Sequence, residues 1–185
     1  MNLDLENYIL NHLDDEDEVL RDLDRYTHLN VLRSRMQSGH IQGAFLKMLC
    51  RMINPQSIVE IGTYTGYSAI CMASGTEHGA QIHTIEVNDE LESGIRRFIS
   101  RAGYDNKISL YIGDALDIIP RIEGEFDLAF IDGDKRQYPE YYEMLFPRVK
   151  AGGYMMADNI LWGDKVAMHG MPDDAYTKGI MDFND

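Results

Sequence analysis

Cysteine is scarce in this sequence and carries no pattern: Cys50 and Cys71 are the only two. Both sit in apolar stretches of helical spacing without a ligand-spaced partner, so each reads as a buried, structural thiol. The six histidines include no His-x-x-x-His pair, which argues against a zinc site. No apolar run reaches the roughly 20 residues that span a bilayer. The acidic N-terminus also lacks the basic head of a signal peptide. The expectation is a cytoplasmic protein with no membrane partner. Basic residues are few as well, 17 against 31 acidic, giving a formal net charge of −14. Such a surface repels phosphate backbones and anionic lipid, which disfavours nucleic acid as a partner while leaving room for a local basic patch. Much of the acidic excess lies in Asp14-Asp15-Glu16-Asp17-Glu18, read as the solvated start of a helix. A calcium loop would need a central glycine that this run lacks.

At 185 residues, 44% hydrophobic and 26% charged, the chain is expected to form a single domain with a continuous core. Residues 2–53 read as helices, with apolar positions Leu3, Leu5, Tyr8, Ile9 and Leu13, then Val19, Leu20 and Leu23, then Ile41, Phe45, Leu46, Leu49 and Met52 at one-face spacings. Asn54-Pro55 stops the last of them. From residue 54 onward short apolar runs at 58–61, 82–86, 108–112, 126–131 and 154–157 alternate with helical stretches at 67–76, 89–102, 115–120 and 138–148. There is no internal repeat and no low-complexity linker. Alternating strands and helices predict an α/β fold with a doubly wound, mostly parallel sheet, the N-terminal helices forming a cover over the 54–185 core. In such sheets ligands bind beyond the carboxyl ends of the strands, so the residues that follow each apolar run are the informative ones.

The first strand is followed by Gly62-Thr63-Tyr64-Thr65-Gly66, whose two glycines let the backbone pass close to a ligand and turn into a helix. Tyr64 occupies the third position of the dinucleotide fingerprint, where that motif needs glycine. A tight turn without a ligand is the competing reading. Glu86 ends the second strand, 20 positions beyond Gly66, where a carboxylate accepts hydrogen bonds from ribose hydroxyls in other doubly wound nucleoside sites. After the third strand, Gly113-Asp114-Ala115 either edges an adenine pocket or caps a helix, two compatible roles. The fourth and fifth strands end in Asp132-Gly133-Asp134-Lys135 and Asp158-Asn159. Asp132, Asp158 and Asn159 supply hard oxygen donors suited to Mg²⁺ or a similar cation, with helix capping by Asp158 or Asn159 as the alternative. Lys135 stands three residues past Asp132; a divalent cation nearby would favour its neutral form and fit it as a general base, whereas an ion pair with Asp134 is the plainer reading.

On these residues the sequence resembles the cation-dependent O-methyltransferase family that includes catechol and caffeoyl-coenzyme A O-methyltransferases. The likeness runs from about Met36 to Val166 and is most specific in Glu60–Ser68, Phe130–Lys135 and Asp158–Trp162. It implies that Met36, Ser38, Glu60, Gly62, Thr63, Ser68, Glu86, Ala115 and Asp132 line an S-adenosylmethionine site. It implies a metal held by Asp132, Asp158 and Asn159, with Mg²⁺ first and Mn²⁺ or Ca²⁺ as alternatives. Lys135 would be the base, and Asp134 and Trp162 would flank the acceptor. The expected acceptor is a small molecule carrying a hydroxyl beside a second chelating oxygen, such as a catechol. A 5-hydroxyuridine in transfer RNA, with Arg33 and Arg35 on its phosphates, is the alternative; a binding protein without turnover is another. Family members continue into two further antiparallel strands beyond the five readable here, so either this sequence is a piece of a longer chain or its fifth strand keeps a partly uncovered edge. A homodimer is expected, the N-terminal helices serving as its contact or as the pocket cover.

Overall fold

The computed structural model describes residues 3–168 and 174–185. Helices α1 (Leu3–Leu10), α2 (Glu18–Asn30) and α3 (His40–Ile53) precede the first strand, and residue 2, included in the helical reading, lies outside the described residues. Asp17 caps α2 by accepting from the Val19 amide at 2.8 Å, as carboxylates at helix starts do. The acidic run is nevertheless not wholly solvated, because the Tyr67 hydroxyl donates to Glu16. Asn54 stops α3 in the left-handed conformation.

Five strands follow: β1 (Ser57–Ile61), β2 (Gln81–Glu86), β3 (Ile108–Ile112), β4 (Phe126–Ile131) and β5 (Val149–Ala157). They form one sheet in the order β3-β2-β1-β4-β5, every pairing parallel. The order reverses at β1, so β1 and its two neighbours meet at a switch point, where crevices open in such sheets. Helices α4 (Tyr67–Gly75), α5 (Glu92–Arg101), α6 (Ala115–Ile118), α7 (Tyr138–Leu145) and α8 (Ala175–Asn184) connect and cover the strands.

Period-two alternation divides the core between the two faces of the sheet. Ile58, Ile82, Leu110 and Leu128 face α2, α3, α4 and α5; Val59, Ile61, Ile85 and Ala129 face α6, α7 and α8. Four of the five β1 residues are buried, which is why this strand reads as a continuous apolar run.

Three expectations need correction. β5 begins at Val149 rather than Tyr154, because Lys150-Ala151-Gly152-Gly153 carries no strand pattern; the register against β4 is irregular between Phe126 and Leu128, and Lys150 pairs with Asp127 at 2.7 Å. The buried face of α3 is Gly43, Leu46 and Cys50, leaving Phe45 and Met52 exposed. Close approach to α4 decides this: a Cβ on Gly43 would stand 2.6 Å from Cys71 Sγ. Finally, α1 has no buried residue, so its apolar positions Leu3, Leu5 and Tyr8 lie at the surface.

Both cysteines are buried and free. Burial pushes the Cys50 thiol up to about 12 and the Cys71 thiol well above its ordinary range. Among the described residues no helix is long and apolar enough to cross a membrane. β5 is half-exposed, and no strand pairs with its outer edge among the described residues.

Candidate active site

The carboxyl ends of the strands open into a cavity of about 1360 Å³. Of the residues expected at a site, Met36, Ser38, Gly62, Thr63, Ser68, Glu86, Ala115, Asp132, Asp134, Lys135, Asp158, Asn159 and Trp162 all line it. Glu60 does not; its side chain lies fully buried beneath the wall.

The turn after β1 is shaped by its glycines. Gly62 has φ +99° and Gly66 φ +94°, values that L side chains rarely adopt. The amides of Gly62 and Thr63 both donate to Ile85 O, at 2.9 and 3.1 Å, and the Asp132 amide donates to Ile61 O at 2.8 Å. A Cβ on Gly62 would overlap the Asp132 carbonyl, so glycine is what lets the ends of β1 and β4 meet. Glu86 accepts from the Tyr64 amide at 2.6 Å and from the Asn88 amide at 2.9 Å. Burial raises the Glu86 carboxyl above its ordinary value, opposed by these backbone donors. Asp114 caps α6 through the Leu116 amide at 2.9 Å while Gly113, Asp114 and Ala115 edge the cavity, so the two roles expected of this segment coexist.

Behind the glycine turn, Thr84 donates to Glu60 Oε2 and Thr63 in turn hydrogen-bonds to Thr84 at 2.5 Å. Glu60 Oε1 is buried without a partner among the described residues. Burial pushes the Glu60 carboxyl up to about 7; hydrogen bonds from Ser68 and Thr84 oppose the rise, and the charges of Asp132 and Glu86 add to it.

The acidic corner lies at the ends of β4 and β5, whose register sets Ile131 beside Ala157. The Asp158 amide donates to Ile131 O at 2.9 Å, which brings Asp158 next to Asp132. Asp132 is pushed up to about 6 by burial, with Lys135 opposing and the Asp158 charge reinforcing. Lys135 Nζ donates to Asp132 Oδ1 at 2.6 Å and to Tyr138 Oη at 2.8 Å. It does not pair with Asp134, which is taken by Arg136. Burial, with the Asp132 and Asp158 charges behind it, holds the Tyr138 phenol well above its ordinary range. Gln42 Nε2 donates to Asp158 Oδ2 at 2.9 Å. Asn159, at φ +60°, and Asp158 cap no helix: Asp158 Oδ1 accepts from the Asn159 amide at 2.6 Å. Among the described residues no three His, Cys, Asp or Glu side chains cluster as a metal site; the oxygen donors here are two carboxylates and one amide. That donor set is hard and anionic, and fits Mg²⁺ better than a soft metal.

On the open side, Trp162 lies stacked on Tyr176 with centroids 6.1 Å apart, and its indole N–H has no partner among the described residues. The segment before α3 is tied down across the cavity. Tyr64 donates to Leu32 O at 2.9 Å, and Thr65 to Gln37 Oε1 at 3.1 Å. Those bonds hold Met36 and Ser38 at the rim. Two participants were not singled out from sequence. Tyr138 has a readable signal, a hydroxyl one 3₁₀ turn past Lys135, whereas Gln42 meets Asp158 across 116 residues and had none.

A doubly wound sheet with a glycine turn, a carboxylate after β2 and an acidic, lysine-bearing corner defines the class: a nucleoside-cofactor α/β fold of the methyltransferase type. The profile of the O-methyltransferase family matches residues 11–185. A probable caffeoyl-CoA O-methyltransferase of Arabidopsis thaliana is 35% identical over 82% of this chain and 68% of its own length. The caffeoyl-CoA O-methyltransferase of Stellaria longipes is 31% identical over 83% of this chain. The chain spans 66% of that relative's length. Among solved structures, the O-methyltransferase TomG of Streptomyces achromogenes, in complex with S-adenosylmethionine, superposes with a TM-score of 0.90 at 28% identity, over 98% of this chain and 82% of that one. A Bacillus cereus O-methyltransferase in complex with S-adenosylhomocysteine gives 0.91 at 27%, over 97% and 83%. The chain belongs to the S-adenosylmethionine-dependent O-methyltransferase family, of the caffeoyl-CoA O-methyltransferase-like kind.

Proposed function

We propose that this chain transfers the methyl group of S-adenosylmethionine to a hydroxyl that stands beside a second oxygen, as in a catechol, with a divalent cation at the same site. The observation that carries the reading is the corner where Asp132, Asp158, Asn159 and Lys135 line one cavity with the glycine turn and Glu86. Met36, Ser38, Gly62, Thr63, Ser68, Glu86, Ala115 and Asp132 would surround the methyl donor, with Glu60 supporting the turn from behind. Asp132, Asp158 and Asn159 would hold the cation, Mg²⁺ in preference to Mn²⁺ or Ca²⁺. When bound, such a cation favours ionisation of a chelated hydroxyl. Lys135 takes the hydroxyl proton. The acceptor oxygen forms the new bond to the methyl carbon, and the sulfur keeps the electron pair of the bond that breaks, leaving S-adenosylhomocysteine. The protein's part is to position both partners. Trp162, whose indole N–H has no partner among the described residues, and Asp134 would flank the acceptor.

That Gln37 and Gln42 reach over the cavity rim supports the reading of residues 1–53 as a cover for the 54–185 core. The exposed apolar faces of α1 and α3 support a homodimer. Incubation with S-adenosylmethionine, catechol and Mg²⁺ should yield methylated catechol, and a chelator should abolish it. Turnover indifferent to the chelator would remove the metal assignment; no product would favour a binding protein without turnover. Arg33 and Arg35 at the cavity mouth support a second reading, a hydroxylated base in RNA. That reading predicts RNA binding that weakens steeply with salt.

A further inference from the structure

We infer that Tyr138 is a positioning residue that aims the amine of Lys135 into the cavity; the inference rests on the reading of Lys135 as the proton acceptor. Tyr138 is fully buried and does not line the cavity, so its hydroxyl reaches neither acceptor nor methyl donor. What it touches is Lys135. The Tyr138 O–H donates to Ile131 O and Asp158 O, both at 3.1 Å. Its proton is thereby committed to the ends of β4 and β5, and its oxygen serves Lys135 only as an acceptor. Lys135 Nζ donates to that oxygen at 2.8 Å and to Asp132 Oδ1 at 2.6 Å. The Lys135 nitrogen is tetrahedral, with its own Cε at one corner. With Asp132 and Tyr138 at two further corners, these contacts set the direction of the fourth, and Lys135 itself lines the cavity.

The support behind this contact is rigid. The Tyr138 ring meets Phe183 of α8 edge-on, with centroids 5.4 Å apart and planes at 78°. In the same helix Gly179 lies against the turn that carries Lys135, where a Cβ would overlap the Lys135 carbonyl and stand 2.8 Å from Arg136 Cα. α8 thus pins the lysine turn from behind while Tyr138 holds the head group.

The test is Tyr138→Phe, which keeps the buried ring and removes only the hydroxyl. Methyl transfer to catechol with Mg²⁺ should lose roughly 10–100-fold in kcat, with KM for catechol and S-adenosylmethionine within about twofold, because a misaimed group costs rate more than binding. The melting-temperature rise with S-adenosylhomocysteine should match that of the unsubstituted protein. Lys135→Ala should lose roughly 100-fold or more, and adding Tyr138→Phe to it should change kcat by less than about twofold, measured in single turnover. An unchanged kcat in Tyr138→Phe, an equal loss with and without Lys135, or loss of the S-adenosylhomocysteine effect would each overturn the inference. Full activity in Lys135→Ala would instead remove the base assignment on which it rests.

Discussion

Replacing Glu60 by glutamine should leave stability nearly unchanged at acid pH, raise it progressively between about pH 4.5 and 7, and raise it by a constant amount above that. The Glu60 carboxyl is fully buried and pushed up to about 7 from an ordinary 4.5. Below the lower value the group is protonated in folded and unfolded chains alike. Between the two values the unfolded chain gives up its proton while the folded one retains it, so stability falls as pH rises. Above about 7 the folded chain carries a buried carboxylate with one oxygen unpartnered among the described residues. At about 1.4 kcal/mol per pH unit, the difference amounts to about 3 kcal/mol. Glutamine does not titrate and escapes it, at the cost of altering the bond from Thr84. Urea unfolding of both proteins at pH 4.5, 6 and 8 reads the effect directly, with the two unfolding slopes required to agree. A stability difference between them that does not change with pH would refute the reasoning.

Two other consequences concern the same part of the molecule. Gly62→Ala should destabilise by about 2–4 kcal/mol, from a φ of +99° and overlap with the Asp132 carbonyl, and lower the melting temperature by roughly 5–15 °C. Gly79→Ala, at φ +96° with nothing within 4 Å, carries only the backbone strain and should cost about half as much; equal effects would contradict the close-approach argument. Cys50 and Cys71 should react with a thiol reagent only at the rate of unfolding, since both are buried and held as thiols. Immediate labelling of the native protein would show the core to be open.

Where the sequence was informative, the reason was local. Ile108–Ile112 and Phe126–Ile131 are strands with the bounds their apolar runs suggested: the edge strand β3 alternates through Ile108, Leu110 and Ile112, while every residue of the inner strand β4 except Asp127 is buried. The residues immediately after the strands fall largely on the cavity because of the topology, and thirteen of the fourteen residues expected at the methyl-donor, metal, base and acceptor positions line it. Glu60 precedes the end of β1 by one position, so its side chain turns into the layer below the turn and not onto the cavity wall. The start of β5 was hidden because Gly152 and Gly153 carry no side-chain alternation, their place being set by β4. The inward face of α3 was hidden because a glycine, Gly43, marks it, and glycine counts as neither apolar nor polar in a helical pattern. Contacts such as Gln42 with Asp158 join segments that only the folded sheet brings together.

The claim on which the rest depends is that the cavity at the strand ends holds an adenosyl-sulfur cofactor. Titration calorimetry of the full chain with S-adenosylhomocysteine, and separately with NAD, tests it most directly. The glycine turn, with Tyr64 where a dinucleotide motif needs glycine, predicts one S-adenosylhomocysteine bound per chain and no heat from NAD. Binding of NAD without S-adenosylhomocysteine would contradict the account.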